Sequence, residues 1–310
     1  MSDMTGQKAV TLEAWARAQG YAFLRLDYSG HGASGGAFRD GTIGRWRDDA
    51  LTVIRHAART VPGLGENLIL VGSSMGGWIA ALVARELNGD DAGPKVAGLV
   101  TIAAAADFTE DLLPARLGPD ALAQIEATGV FEAPSDYSEE PYAITRELLD
   151  EGREHLILHE PLALDMPARL IHGTADPDVP WTQSRKLINA LTSDGVELIL
   201  VKGGDHRLSK PRDLDRMIGV VAKLADQVSA SSAASPNAAL LTLAQLHLQA
   251  HEPRKAIETL RRAGCLVWML TGDKLETAVS IANTCRLIDA EGELAIVQES
   301  DFVGEAGHGA

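Results

Sequence analysis

The stretch NLILVGSSMGGWIAALVARELN (67–88) decides the fold. It opens with a short, continuously apolar run, NLILVG, which has the length and character of a buried strand. It closes with MGGWIAALVARELN, which is compatible with a helix. Between the two lies Gly72-Ser73-Ser74-Met75-Gly76, a G-x-S-x-G pattern at the strand-to-helix junction. Such a turn forces its central residue into a strained backbone conformation, and small flanking residues let helix and strand approach closely. Ser74 Oγ then stands above the sheet at the positive end of the following helix. The backbone N–H of Met75 points where an oxyanion would develop. Five letters alone are a common chance pattern in a glycine-rich chain; their place between strand and helix is what makes Ser74 a candidate nucleophile.

Working outward, YAFLRLDY (21–28), VAGLVTIAAA (96–105), ARLIHG (168–173) and VELILV (196–201) also read as strands covered on both faces. Thr42 to Thr60 places Ile43, Trp46, Leu51, Ile54 and Ala58 at helical spacing. Strand and helix in alternation imply an α/β fold with a doubly wound, mostly parallel sheet. From about 107 to 166 the rhythm breaks into helical pieces with no clear strand, an insertion that reads as a helical cap over the site. Val130 and Phe131 are candidates for lining an acyl groove there; packing the cap onto the sheet is the other role open to them.

A serine nucleophile needs a base, and the base needs a carboxylate to orient it. ARLIHG leads into Thr174-Ala175-Asp176, and VELILV leads into Gly203-Gly204-Asp205-His206. Both side chains fall just past strand ends, on the edge that carries Ser74, in the order Ser, Asp, His. Asp176 is the expected orienting acid and His206 the expected base. Asp178 is a rival acid. Asp205 reads as an anchor of its loop, His172 as a packed, hydrogen-bonded histidine, and His31 as a turn residue between glycines or a substrate contact.

The chain has 310 residues, a formal net charge of −15 and two cysteines, Cys265 and Cys285. The negative charge argues against nucleic acid as a partner. Two late cysteines are no disulfide framework and make a reducing, cytoplasmic compartment the default. No apolar run reaches the roughly 18 residues of a membrane span, and the first residues do not read as a secretory signal.

The segments LRLDYSGHGASGG, TIGRW, LVGSSMGGW, PSDYSEE, LIHGTADPDVPW and GDHRLS, in this order over about 1–228, resemble one branch of the α/β-hydrolases. That branch holds bacterial esterase-like proteins and mitochondrial palmitoyl-protein thioesterases that also cleave acyl glucuronides. The resemblance implies a serine hydrolase acting on acyl esters or thioesters, with a small-molecule or acylated-protein substrate and no cofactor or metal. It assigns Ser74, Asp176 and His206 to the triad and leaves acyl chain length, leaving group and oligomeric state open. Against the family's pattern, this chain enters at SDMTGQKA. The first three strands, and the turn that normally supplies a second oxyanion donor, are expected to be missing, which leaves YAFLRLDY and NLILVG without their shared neighbour. A catalytically impaired fragment is therefore the alternative to an active enzyme.

The composition shifts near 228. SASSAASPNAA, about 229–237, reads as a linker, 238–299 as a helical and βα appendage, and 300–310 as a disordered tail. Ala238 to Ala263 faintly resembles a single tetratricopeptide repeat. AIETLRRAGCLVWMLTGDKLETAVSIANTCRLI (256–288) is similar to a piece of the phosphorylation domain of P-type ATPases of the lipid-flippase group. The phosphoacceptor and metal motifs of that family are nowhere in the chain, so Thr271 and Asp273 of TGDK offer only a remote nucleotide- or phosphate-binding alternative. LVWML followed by KLETAVSIANTCRLI reads as an ordinary βα unit, and LVWML is not expected to fill the vacancy between YAFLRLDY and NLILVG, since nothing in it supplies the lost turn. Residues 231–310 are expected to be dispensable.

Overall fold

The computed structural model describes residues 4–60, 67–134, 141–232 and 266–270. Its centre is a six-stranded sheet in which every adjacent pair is parallel. In chain order the strands are β1 (Ala22–Leu26), β2 (Leu68–Ser73), β3 (Val96–Ile102), β6 (Ala168–Gly173), β7 (Val196–Val201) and β8 (Leu266–Leu270). They lie side by side as β1-β8-β2-β3-β6-β7. The five strands read from the sequence are all present, two of them with the same ends.

The inner strands β2 and β3 are almost wholly apolar and buried because both their faces are covered. The edge strands β1 and β7 are only partly buried and carry Arg25 and Glu197, so the expectation of cover on both faces fails for YAFLRLDY and VELILV. The period of two divides the side chains between two layers. Leu68 and Leu70 of β2, Leu99 of β3 and Leu170 of β6 face one way. There they meet α2 (Ile43–Thr60), α3 (Met75–Gly89) and α7 (Thr182–Ala190) through Trp46, Ile54, Leu82 and Leu187. Ile69, Val71, Val100, Ile102 and Ile171 face the other way, onto α1 (Gln7–Ala18) and α8 (Pro211–Ser232). Helix α8 presents Leu214, Met217, Val221, Leu224 and Val228 at the three- and four-residue spacing of one helical face. It runs on to Ser232, past the boundary expected at 228.

Two expectations are corrected here. LVWML is not part of a separate appendage: as β8 it lies between β1 and β2, pairing with Ala22–Leu26 on one side and Leu68–Gly72 on the other. A parallel sheet leaves unpaired N–H and C=O groups wherever a neighbour is lacking, and a five-residue apolar strand meets that need irrespective of its distance along the chain. The rest of the expected linker, appendage and tail lies outside the described residues, as do Thr271 and Asp273.

The second correction concerns the cap, which contains strands. Helices α4 (Phe108–Asp111) and α5 (Leu113–Thr128) are followed by an antiparallel pair, β4 (Val130–Ala133) and β5 (Tyr142–Thr145), and then by α6 (Arg146–Gly152). Gly129 takes a left-handed φ of 83° to end α5, and four-residue strands are too short to display a period. Phe131, opposite Ile144, packs with Leu113, Leu117, Leu122 and Ile125 in the cap's own apolar cluster. At its base, the buried carboxylate of Asp107 accepts the backbone N–H groups of Ile157 (2.9 Å) and Leu158 (2.8 Å), fastening the segment's exit to its return. The Trp78 indole N–H donates to the His155 carbonyl (3.0 Å), tying α3 to the same region.

Candidate active site

Ser74 sits between the end of β2 and the start of α3 with φ 56° and ψ −124°. A left-handed φ in a residue that is not glycine costs on the order of 1–3 kcal/mol and persists only where its surroundings impose it. They do so here. The Ser74 N–H donates to Ile102 O (2.9 Å), and its carbonyl accepts the N–H groups of Gly77 (2.9 Å) and Ala105 (3.0 Å). Gly72 makes the turn possible: a Cβ there would stand 2.1 Å from the Gly76 carbonyl oxygen, which is backbone and cannot yield. Met75 is the first residue of α3, where helix N–H groups lack partners within the helix.

The loops after β6 and β7 are laced together. Thr174 N–H donates to Val201 O (2.9 Å), Ala175 N–H to Gly204 O (3.0 Å) and Gly203 N–H to Thr174 Oγ1 (2.9 Å). A side chain on Gly173 would strike the Gly204 carbonyl at 2.2 Å, so this close approach requires glycine. The lacing brings Asp176 to His206. The His206 Nδ1–H donates to Asp176 Oδ2 at 2.8 Å, and the Ser74 hydroxyl donates to His206 Nε2 at 3.0 Å.

The Asp176 side chain is buried, which alone pushes its carboxyl up. Hydrogen bonds from His172, His206 and the Val179 N–H outweigh that and hold it well below the usual carboxylate range. It is therefore an anion at neutral pH, the form that can orient an imidazole.

The other singled-out residues are placed as follows. A carboxylate oxygen of Asp178 lies within 4.8 Å of His206, but Asp178 gives its backbone N–H to Asp176 Oδ1 (2.9 Å), and its side chain pairs with Arg116 of α5 (3.0 Å). Asp205 accepts the Leu208 N–H (2.9 Å) and faces Lys210 Nζ (3.2 Å), anchoring its own loop. His172 is fully buried between Ser184, Val179 and Asp176. His31 is buried among Tyr28, Phe38 and Trp46, and burial pushes its imidazole down, partly opposed by the hydrogen bond to Ser29 O. Sequence reasoning did not foresee the Arg116 contact or the two backbone N–H groups on Asp176; the run of Asp-Pro-Asp-Val-Pro carries a turn signal and no more.

Residues 6–135 match the family model described as serine aminopeptidase, S33. The mouse mitochondrial palmitoyl-protein thioesterase ABHD10 is 37% identical over 232 residues, which is 74% of this chain and 73% of that protein. The chain belongs to the α/β-hydrolase family, in the branch of ABHD10. The family places it among hydrolases of carboxylic esters and thioesters. Two solved α/β-hydrolases agree. A putative hydrolase from Agrobacterium vitis S4 superposes with a TM-score of 0.67 at 45% identity, covering 72% of this chain and 84% of that one. Mouse ABHD10 superposes with a TM-score of 0.63 at 34% identity, covering 73% and 86%. A separate, short likeness to human phospholipid-transporting ATPase VD, 48% over 52 residues, spans 16% of this chain and 4% of that protein. The expectation of a cytoplasmic protein does not stand, because the mouse relative is mitochondrial by name. Among the described residues no helix is long and apolar enough to cross a membrane.

Proposed function

We propose that this α/β-hydrolase cleaves acyl esters or thioesters through an acyl-enzyme on Ser74. His206 Nε2 takes the Ser74 proton as Oγ bonds to the acyl carbon. The negative charge that develops on the acyl oxygen faces the Met75 N–H at the start of α3, where the helix dipole favours it. His206 then gives its proton to the departing alcohol or thiol as the carbon–heteroatom bond breaks. A water, deprotonated by the same nitrogen, attacks the acyl-serine, and the carboxylic acid and free Ser74 hydroxyl are released. Asp176 keeps the His206 ring in the tautomer that presents a lone pair to Ser74 and stabilises the imidazolium of each half-reaction.

The observation that carries this reading is the unbroken hydrogen-bonded line from Ser74 Oγ through His206 to Asp176 Oδ2. Three residues from three separate loops meet at 3.0 and 2.8 Å, with the serine in a left-handed conformation at a helix start. The relatives named as palmitoyl-protein thioesterases point to fatty-acyl thioesters of proteins as one substrate class, beside small esters. The test is turnover of a p-nitrophenyl ester and of a palmitoyl thioester by Ser74→Ala. A fall of about 10⁴-fold or more on both, with an unchanged fold, is expected, because members of such a unit fail together. Near-normal turnover by the alanine variant would overturn the mechanism.

A further inference from the structure

Asp176 is gripped by more partners than an orienting acid needs. Its Oδ1 accepts the N–H groups of Asp178 and Val179, both at 2.9 Å. Its Oδ2 accepts the His206 Nδ1–H at 2.8 Å, and His172 Nε2 stands 3.2 Å from the same oxygen. His172, the penultimate residue of β6, has no exposed surface. Its Nε2 is also 3.0 Å from the Val179 carbonyl. A carbonyl only accepts, so Nε2 carries the proton; in the neutral ring Nδ1 is then the acceptor, and the buried Ser184 hydroxyl donates to it at 2.7 Å. The buried N–H that binds the backbone of the acid loop thus lies within 3.2 Å of the very oxygen that holds His206.

Burying an imidazole is costly unless both nitrogens are satisfied, and an apolar residue at this strand end would pack without that demand. We infer that His172 is a positioning residue of the reaction: its Nε2–H fixes Asp176 Oδ2 against the Val179 turn and draws off part of that oxygen's charge, setting how firmly Asp176 holds the protonated form of His206. The inference rests on the roles given above to Ser74, His206 and Asp176. Two donors on one oxygen weaken each other. With the His172 donor gone, the charge on Oδ2 falls on His206 alone, the imidazolium is favoured, and the free base forms only at higher pH. The other charged groups around the pair stay in place: Asp178 with Arg116 from the cap, Asp205 with Lys210, and Lys8 of α1, whose Nζ donates to Arg207 O at 2.6 Å.

The experiment is the pH profile of kcat/KM on a p-nitrophenyl ester, from pH 5 to 9, for the full chain and for His172→Leu, His172→Gln and Ser184→Ala. The acid limb of His172→Leu is expected to move upward by about half to one pH unit, the worth of one hydrogen bond to a carboxylate shared between two donors. His172→Gln, which keeps an N–H donor, returns the limb toward its original position. Where His172→Leu does not fold, Ser184→Ala decides: it leaves the ring in place, frees Nδ1 and moves the limb in the same direction by less. A limb superimposable on that of the unaltered chain, in the folded variant that decides, overturns the role of His172. Failure of the underlying reading is a separate result, since Ser74 would then not be labelled by a fluorophosphonate in any of these proteins; a labelled Ser74 with an unmoved limb sinks only the inference about His172.

Discussion

Arg116 of the cap and Asp178 of the acid loop form an ion pair at 3.0 Å. Asp178 is also the residue whose backbone N–H holds Asp176 Oδ1, so the cap and the orienting acid are two steps apart. The Arg116 side chain is more than half exposed, at 58%, so the pair contributes no more than about 1 kcal/mol to stability and is screened by salt. Arg116→Gln is expected to leave the unfolding free energy nearly unchanged and to lower kcat/KM by about 2- to 5-fold at low ionic strength. High salt should erase the difference. A salt-independent deficit would mean that Arg116 acts by packing or by touching substrate.

Asp176 gives the pH dependence of stability a definite sign. Its carboxyl lies well below the usual range in the folded protein, where the donors that surround it outweigh burial, and titrates near about 4 when unfolded. Between those two values the unfolded chain binds more protons. The contribution is therefore complete above the unfolded value and is lost as pH falls toward the folded one. Asp176→Asn should be about 2 kcal/mol less stable at pH 7, the scale of hydrogen bonds to a charged acceptor. The gap to the parent should be full above about pH 5, begin to narrow as pH falls below about 4, and go on narrowing toward the folded value, which lies well below that. Urea titrations across that range decide it; parallel curves would contradict the assignment.

The placement of β8 carries its own consequence. Five residue pairs on each side join it to β1 and β2. Trp268→Pro removes a ladder N–H from the interior of the sheet and is expected to cost about 3 kcal/mol or more. A chain ending at Ser232 should lose soluble expression or activity, the opposite of what the composition shift near 228 suggests. Denaturant midpoints unchanged by the proline would show that LVWML is not held between those strands.

Much of this was legible in advance. NLILVG and ARLIHG announce buried strands because both faces of the sheet are covered there, while VELILV, equally apolar in sequence, is a half-buried edge strand. The glycines around Ser74 mark the elbow because backbone passes within 2.1 Å of where a Gly72 Cβ would be. The acid and the histidine could be chosen because each follows a strand on one edge of the sheet. What was not legible depends on contacts between distant segments. A five-residue apolar run says that it is buried but not between which neighbours, so LVWML could not be placed. The hairpin of Val130–Ala133 with Tyr142–Thr145 is too short for its period to register. His172 reads as a packed histidine from its strand; that its Nε2 comes within 3.2 Å of Asp176 Oδ2 follows only from the turn at Val179.

The central claim is that Ser74 is the nucleophile that His206 activates. The most direct measurement is mass-spectrometric mapping of the adduct left by a fluorophosphonate on the full chain and on His206→Ala. A single adduct is expected, on the peptide containing Ser74, forming at least ~10³-fold more slowly once His206 is gone. An adduct on any other serine, or equal labelling with and without His206, would contradict the account.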